Sequence, residues 1–289
     1  MFTFVVIAAT FGAPPEATTH EANNPLFKSL LETGFAVGSK DKVKLPAPTM
    51  PDGLDAAKQK ATIEALIKDD YRYDLFTENS VVARELIKIR DVKGGDAKSP
   101  PRAVDVWFLA YGDIKALDDD KFLERLMNTG RGNGQAKSLT KEDLAARKIV
   151  IADSKKEGFG QMEFDFLDKV HLKATGHTMW TRTADSVVVA GEIDPRFAED
   201  KDFPNQWQSI TKGGEAPKFG PATTWAGAVF YLKITRLAEP AGALFCEQHV
   251  IFVEPEGWFD GANLLRSKLP AAVQVSVRNM RKEWVKLNK

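Results

Sequence analysis

Residues 223–254 read TTWAGAVFYLKITR, LAEPAG, ALFCEQHVIFVE. The outer blocks are rich in β-branched and aromatic residues and the middle one in turn residues, which predicts two long strands, Thr223 to Arg236 and Ala243 to Glu254, closed by a tight turn. Glu239-Pro240-Ala241-Gly242 fits a type I turn with a left-handed glycine, so Gly242 is expected at positive φ. That turn pairs Glu239 with Ala243. It sets Leu232 opposite Val250 and Phe230 opposite Phe252 on one dry face, with Tyr231 opposite Ile251 and Lys233 opposite His249 on the other. Lys233, Glu247 and His249, with Thr235, thus form a polar cluster of mixed ionisable types. It reads either as a cross-strand charge ladder or, given burial and a pocket, as an acid/base site.

Downstream, Leu265, Leu269, Val273, Val277, Met280, Trp284 and Leu287 recur near the helical period, while Arg266, Arg278, Lys282 and Lys286 lie off that stripe. One face of a long terminal helix is therefore built to cover something apolar. Pro270 is expected in the first turn of its long part, with Asp260 to Ser267 a separate lead-in turn or kink.

Upstream, Val81 to Arg90 and Val104 to Tyr111 read as paired strands, and the second is apolar at both parities, the mark of a strand covered on both faces. The available cover is N-terminal. Asn24-Pro25 opens a short helix ending at Thr33-Gly34, and Asp55 to Asp69 places Ile63, Leu66 and Ile67 on one helical face. Between them, Pro46, Pro48 and Pro51 predict an extended linker from Lys40 to Gly53. Asp118, Asp119 and Asp120 read as helix caps in preference to a metal cluster, since metal loops alternate ligands with spacers. Gly130, Gly132 and Gly134 read as a helix stop instead of a phosphate loop. Thr140 opens another short helix.

From Phe159 to Ile193 period-two strands return. His171 and His177 share a face but stand ~20 Å apart along one strand, and read as solvated surface groups. Arg196 to Ala222, carrying Phe203, Trp207 and Phe219, reads as an aromatic flap over a groove or as a crossover pinned by its aromatics.

The 289 residues hold equal numbers of basic and acidic side chains, 40 each, so there is no long-range field to gather nucleic acid, which is set aside as a partner. The single cysteine, Cys246, excludes an intrachain disulfide and a thiolate metal cluster. No motif calls for a cofactor or metal, and no nucleophile, base and acid stand at a spacing that names a catalytic residue. Phe2 to Phe11 is almost wholly apolar and is followed by Pro14-Pro15, the order of a signal peptide over residues 1–13; a buried first strand is the alternative. That run is shorter than the ~20 residues a membrane helix needs, so no transmembrane segment is expected. The expected location is periplasmic or extracellular. The chain divides into 1–13, an N-terminal extension and linker 14–54, and one α+β domain 55–289.

From Asp55 to Lys289 the order of elements, an amphipathic helix, early strands, short helices, antiparallel strands and a long last helix, resembles the START-like helix-grip superfamily. The resemblance implies an α+β fold in which a curved antiparallel sheet packs on a long C-terminal helix, with a lipid or other hydrophobic ligand between them. The side chains placed there are Phe230, Leu232, Val250 and Phe252 from the dry sheet face and Val273, Val277 and Met280 from the helix stripe. Two functions follow as expectations. One is non-enzymatic binding of a hydrophobic small molecule or lipid; the other is a structural or interaction protein of the cell envelope with a filled core.

Overall fold

Local signals set the N-terminal elements of the computed structural model, which describes residues 19–37, 41–94, 98–129, 134–153, 156–211, 217–259 and 264–287. The signal segment 1–13 and all but the last of the three glycines at 130–134 lie outside those residues. After one turn, α1 (His20–Asn23), Asn24 caps α2 (Pro25–Glu32) by accepting the Phe27 N–H at 2.8 Å. Gly34, at φ 83°, leads into a small hairpin of β1 (Phe35–Val37) and β2 (Asp41–Val43). A Cβ on Gly34 would stand 2.7 Å from the Val43 carbonyl oxygen, so glycine is required there. The Asp55 carboxylate caps α3 (Ala56–Ile67), and α4 (Tyr73–Phe76) follows.

The sheet begins with β3 (Glu85–Asp91) and β4 (Pro101–Tyr111). Then come α5 (Asp120–Asn128), β5 (Gln135–Ser138) and α6 (Lys141–Ala146), followed by three long strands, β6 (Glu157–Phe166), β7 (Val170–Arg182) and β8 (Ser186–Ile193). Asp119 caps α5 as expected, whereas Asp118 pairs with Arg182; Thr140 and Asp143 cap α6 reciprocally. Next are β9 (Gln206–Thr211), the two-residue β10 (Lys218–Phe219) and β11 (Thr223–Thr224), β12 (Ala228–Arg236), β13 (Ala243–Val253) and finally α7 (Leu264–Leu287).

Eleven of these strands form one curved antiparallel sheet, and its main row runs β5, β6, β7, β8, β12, β13, β4, β3. The sheet wraps one long helix on one side and is covered by N-terminal helices on the other, the α+β helix-grip arrangement. Alternation decides which residues go where. The inner face of Val106, Phe108, Val189, Phe230, Leu232 and Phe252 packs under α7 and its neighbours. On the outer face, Leu26, Phe27 and Leu30 of α2 cover Val188, Val229 and Tyr231, and Ile63 and Ile67 of α3, with Met50, cover Trp107, Leu109 and Phe245. Each such buried side chain contributes ~1.5–3 kcal/mol, so both layers are part of the fold. Of the linker read over Lys40 to Gly53, residues 41–43 instead form β2, while 44–53 run without helix or strand as expected, though Leu45 and Met50 are buried on the sheet.

The hairpin departs from its expected register by two residues. Leu232 lies opposite Gln248, Phe230 opposite Val250, Tyr231 opposite His249 and Lys233 opposite Glu247. Gly242 has positive φ, 74°, as expected. The closing bond, however, runs from Ala243 N–H to Pro240 C=O, so the turn starts one residue later inside a longer loop between Leu237 and Ala243. A shift of two preserves parity, and every side chain keeps its face.

Three further readings are corrected. Pro270 lies in the second turn of a helix already formed at Leu264, and the lead-in reading of residues 264–267 gives way to continuous helix, held by buried Leu265 and Leu269. Leu287 is exposed, while Ser276 and Arg281 join the buried stripe. The segment 196–222, in its described residues, carries short strands in place of a free flap, β9 pairing with β7 below the end of β8 and β10 and β11 returning on β9. Two of the three aromatics, Phe203 and Trp207, pin it to the body as the crossover reading has it. Its residue Phe203 packs with Leu139, Leu144 and Phe159, whereas Phe219 is exposed.

Candidate functional site

Two regions bring chemistry-bearing side chains together, one on each face of the sheet. The inner one lies between the sheet and α7. Phe230, Leu232, Val250 and Phe252 all reach it from the sheet, and Val273, Val277 and Met280 from the helix, each of them buried. At one end Phe122 meets Trp284 edge to face, with ring centroids 4.8 Å apart. At the other, Trp258, from the segment after β13, packs on Phe166 and Trp225 at 5.7 Å, on Phe252 at 6.1 Å and on Trp207 at 6.3 Å. Trp207 reaches this cluster because it stands opposite Leu172 on the inner face of β9.

Polar atoms in this apolar interior fall into two classes. Some are satisfied: the Trp225 indole donates to the Val253 carbonyl at 2.9 Å. Arg281, 3 % exposed, donates to the carbonyls of Ala83, Arg84 and Leu109 at 2.7–2.9 Å, with Glu85 3.7 Å away. It fastens α7 to β3 and β4. Others have no partner among the described residues: Nε1 of Trp207, Trp258 and Trp284, and Oγ of Ser276. A buried donor left unmet costs ~1–3 kcal/mol. Cys246 is fully buried, which pushes its thiol pKa up to about 12, so it is no nucleophile.

On the outer face the structure does bring Lys233, Glu247 and His249 together, one rung from the expected pairing, but buried under the N-terminal segment and not as an exposed ladder. The Glu247 carboxylate accepts the N–H groups of Thr49 at 2.6 Å and Met50 at 3.2 Å. Lys233 donates to the Met50 carbonyl and meets Asp52, both at 2.7 Å. His249 bonds Asp105 at 2.7 Å and lies 3.4 Å from Glu247, and Arg90 completes the row at 2.9 Å from Asp105. Burial works against the imidazolium of His249, yet its bonds to Asp105 and Glu247 outweigh it and raise the pKa above the usual value. For Asp52 burial acts upward, but Lys233, Thr183 and Ser186 hold its carboxyl below the ordinary range.

His20, from α1, extends this network. Its Nδ1 meets the Thr181 hydroxyl at 2.8 Å and its Nε2 the Ser186 hydroxyl at 2.7 Å. Burial lowers its pKa to about 4, Asp52 opposing and Lys233 reinforcing. Ser186, His20 and Asp52 carry the residue types of a nucleophile relay, but in the wrong order. Ser186 gives its proton to Asp52, at 2.7 and 2.9 Å, so neutral His20 donates to Ser186 and accepts from Thr181. The Ser186 hydroxyl is engaged on both sides, by Asp52 and His20, and Ser186 is fully buried. The network holds the segment 49–52 to the sheet.

His171 and His177, read as solvated, are largely buried and paired. His171 lies between Asp165 and Glu163 at 2.8 and 3.0 Å, and His177 between Glu157 and Glu192 at 2.8 and 3.7 Å, its ring stacked on Phe159. Burial disfavours the charge on His177, but the two carboxylates prevail and raise its pKa. Trp258, Ser276, Arg281, His20 and Asp52 were not among the residues expected to matter. Only Arg281 had a signal, one position after Met280 on the apolar stripe.

No protein-family model matches the chain, and no curated protein matches it. Among solved structures it is similar to human StAR-related lipid transfer protein 5, at 9 % identity and TM-score 0.43, over 81 % of this chain and 98 % of that one. It is also similar to the lipid transfer and protein localization domain of human StarD13, at 9 % and 0.39, over 69 % and 90 %. A third, an uncharacterized protein from Rhizobium leguminosarum, aligns at 10 % and 0.29, over 70 % and 99 %. These similarities concern the path of the chain. The helix-grip arrangement itself rests on the strand order and helix placement described above.

Proposed function

We propose that the chain is a non-enzymatic binding protein that holds a hydrophobic small molecule or lipid between the inner sheet face and α7, outside the cytoplasm. The observation that carries the reading is the set of unpartnered buried donors in an otherwise apolar interior. A packed core normally satisfies such groups, and a bound molecule supplies what the chain does not. The exported location is supported by the apolar opening run before Pro14-Pro15. No helix among the described residues is long and apolar enough to cross a membrane.

The competing reading is an envelope or interaction protein whose core is filled by its own side chains. The close seating of the Phe230 ring over Gly191, where an added Cβ would collide with it, favours dense packing in that part of the interior. Protein purified from its native host and extracted with organic solvent should release an apolar compound detectable by mass spectrometry, and the stripped protein should take one up with a rise in Tm. No compound and no uptake would decide for the filled core.

A further inference from the structure

Resting on that reading, we infer that the ligand is a neutral apolar molecule carrying hydrogen-bond acceptor oxygens, such as a ketone, ester or ether, and that its oxygen end sits at Trp207 and Trp258. An indole N–H can only donate. Trp207 and Trp258 belong to one aromatic cluster, both have their Nε1 buried without a partner among the described residues, and the third indole beside them, Trp225, is already committed to Val253. Each of these unpartnered donors in the one aromatic cluster calls for an acceptor. A bare hydrocarbon leaves both unmet.

Charge selects further. The charges described on the inner side are compensated within the protein: buried Arg281 by three carbonyls and Glu85, and partly exposed Arg182 by Asp118. A charged ligand head would therefore enter an apolar wall with no free counter-ion among the described residues, at a cost far above that of a neutral group. The long apolar remainder of the molecule lies along Phe230, Leu232 and Val273, toward Trp284. Ser276, with a hydroxyl that both donates and accepts, is placed on α7 for a second oxygen further along the chain.

The test uses stripped protein with the tryptophan indoles labelled with ¹⁵N, and three probes of equal length: an alkane, a methyl alkyl ketone and an alkyl ammonium. The ketone should bind about tenfold more tightly than the alkane, move the indole N–H signals of Trp207 and Trp258 downfield, and leave that of Trp225 in place. The ammonium should not bind. In Trp258→Phe, which removes the N–H, the ratio of ketone to alkane affinity should fall toward one, whatever change in packing the two probes share. Equal binding of alkane and ketone, with unmoved indole signals, overturns this inference and leaves the ligand reading standing. Binding of the ammonium in preference to the ketone overturns it as well. Failure of all three probes to bind overturns both.

Discussion

The buried carboxylate of Glu247 accepts the backbone N–H of Thr49 at 2.6 Å, joining residues 198 apart in sequence. A strand side chain here does for an irregular segment what a ladder partner does for a strand. Thr49 and its neighbour Met50 have no sheet partner of their own, and the carboxylate satisfies both amides. Glu247→Ala should cost ~3 kcal/mol in urea unfolding, because it leaves the buried amides of Thr49 and Met50 unmet and His249 with one carboxylate fewer. Limited proteolysis should cut faster between residues 44 and 54. An unchanged midpoint and cleavage rate would mean the segment is held by its apolar contacts alone.

Lys233 and Asp52 should be energetically coupled. Lys233→Met leaves Asp52 half-buried with only hydroxyl donors, and Asp52→Asn leaves a buried ammonium with the Met50 carbonyl. Each change should destabilise by ~2–3 kcal/mol and the double variant by much less than their sum. Additive losses would show the pair to be incidental.

Stability should fall on both sides of neutrality for two different histidines. His20, lowered to about 4 from an ordinary 6.5, is buried neutral, so its contribution is present above 6.5 and lost as pH falls from there toward 4. His249, raised, contributes fully below 6.5, and that contribution is lost as pH rises through its folded value; His177 has the same sign. In urea midpoints from about pH 5 to about pH 9, His249→Gln should flatten part of the alkaline decline and leave the acid side intact. A variant with the alkaline slope of the parent would remove His249 from the account.

How far the sequence reaches is plain from these same groups. Alternation on β12 and β13 separated the dry face from the polar one, and a register error of two left that separation intact, so Lys233, Glu247 and His249 could be grouped. Their partners Asp52 and His20 could not. Both come from stretches with no repeating pattern, whose place over the sheet is set by tertiary contacts alone. The buried indoles carry no mark in the sequence for a similar reason, since a tryptophan after a strand, as at 258, says nothing of whether its N–H finds a partner.

Arg281→Met should cost ~3 kcal/mol, because a buried Glu85 and three carbonyls lose their donor. Arg281→Lys should rescue little, since one ammonium cannot span the fork of a guanidinium. Lys282→Ala, exposed on the next position, should stay within ~0.5 kcal/mol. Thermal unfolding of the three side by side separates them; equal Tm values would contradict the fastening role.

Two glycines should fail for opposite reasons. Gly242→Ala has open space around it but a left-handed backbone, so its cost, ~1 kcal/mol, is conformational. Gly112→Ala would drive a methyl into the Trp284 ring, and Trp284→Ala alone should cost ~3–5 kcal/mol. Combining Gly112→Ala with Trp284→Leu should therefore cost less than the sum of the two single changes, whereas Gly242→Ala should add independently in either background.

All four histidines of the chain, His20, His171, His177 and His249, bond to groups on the outer side of the sheet. The sheet is one backbone thick, and it sets these imidazoles apart from the side that α7 covers. Between about pH 5 and about pH 8, where histidine is the side chain that ordinarily changes charge, the imidazole protons load and leave on that one side. Acidification in that range acts first on the outer contacts, among them those that hold the N-terminal segment to the sheet.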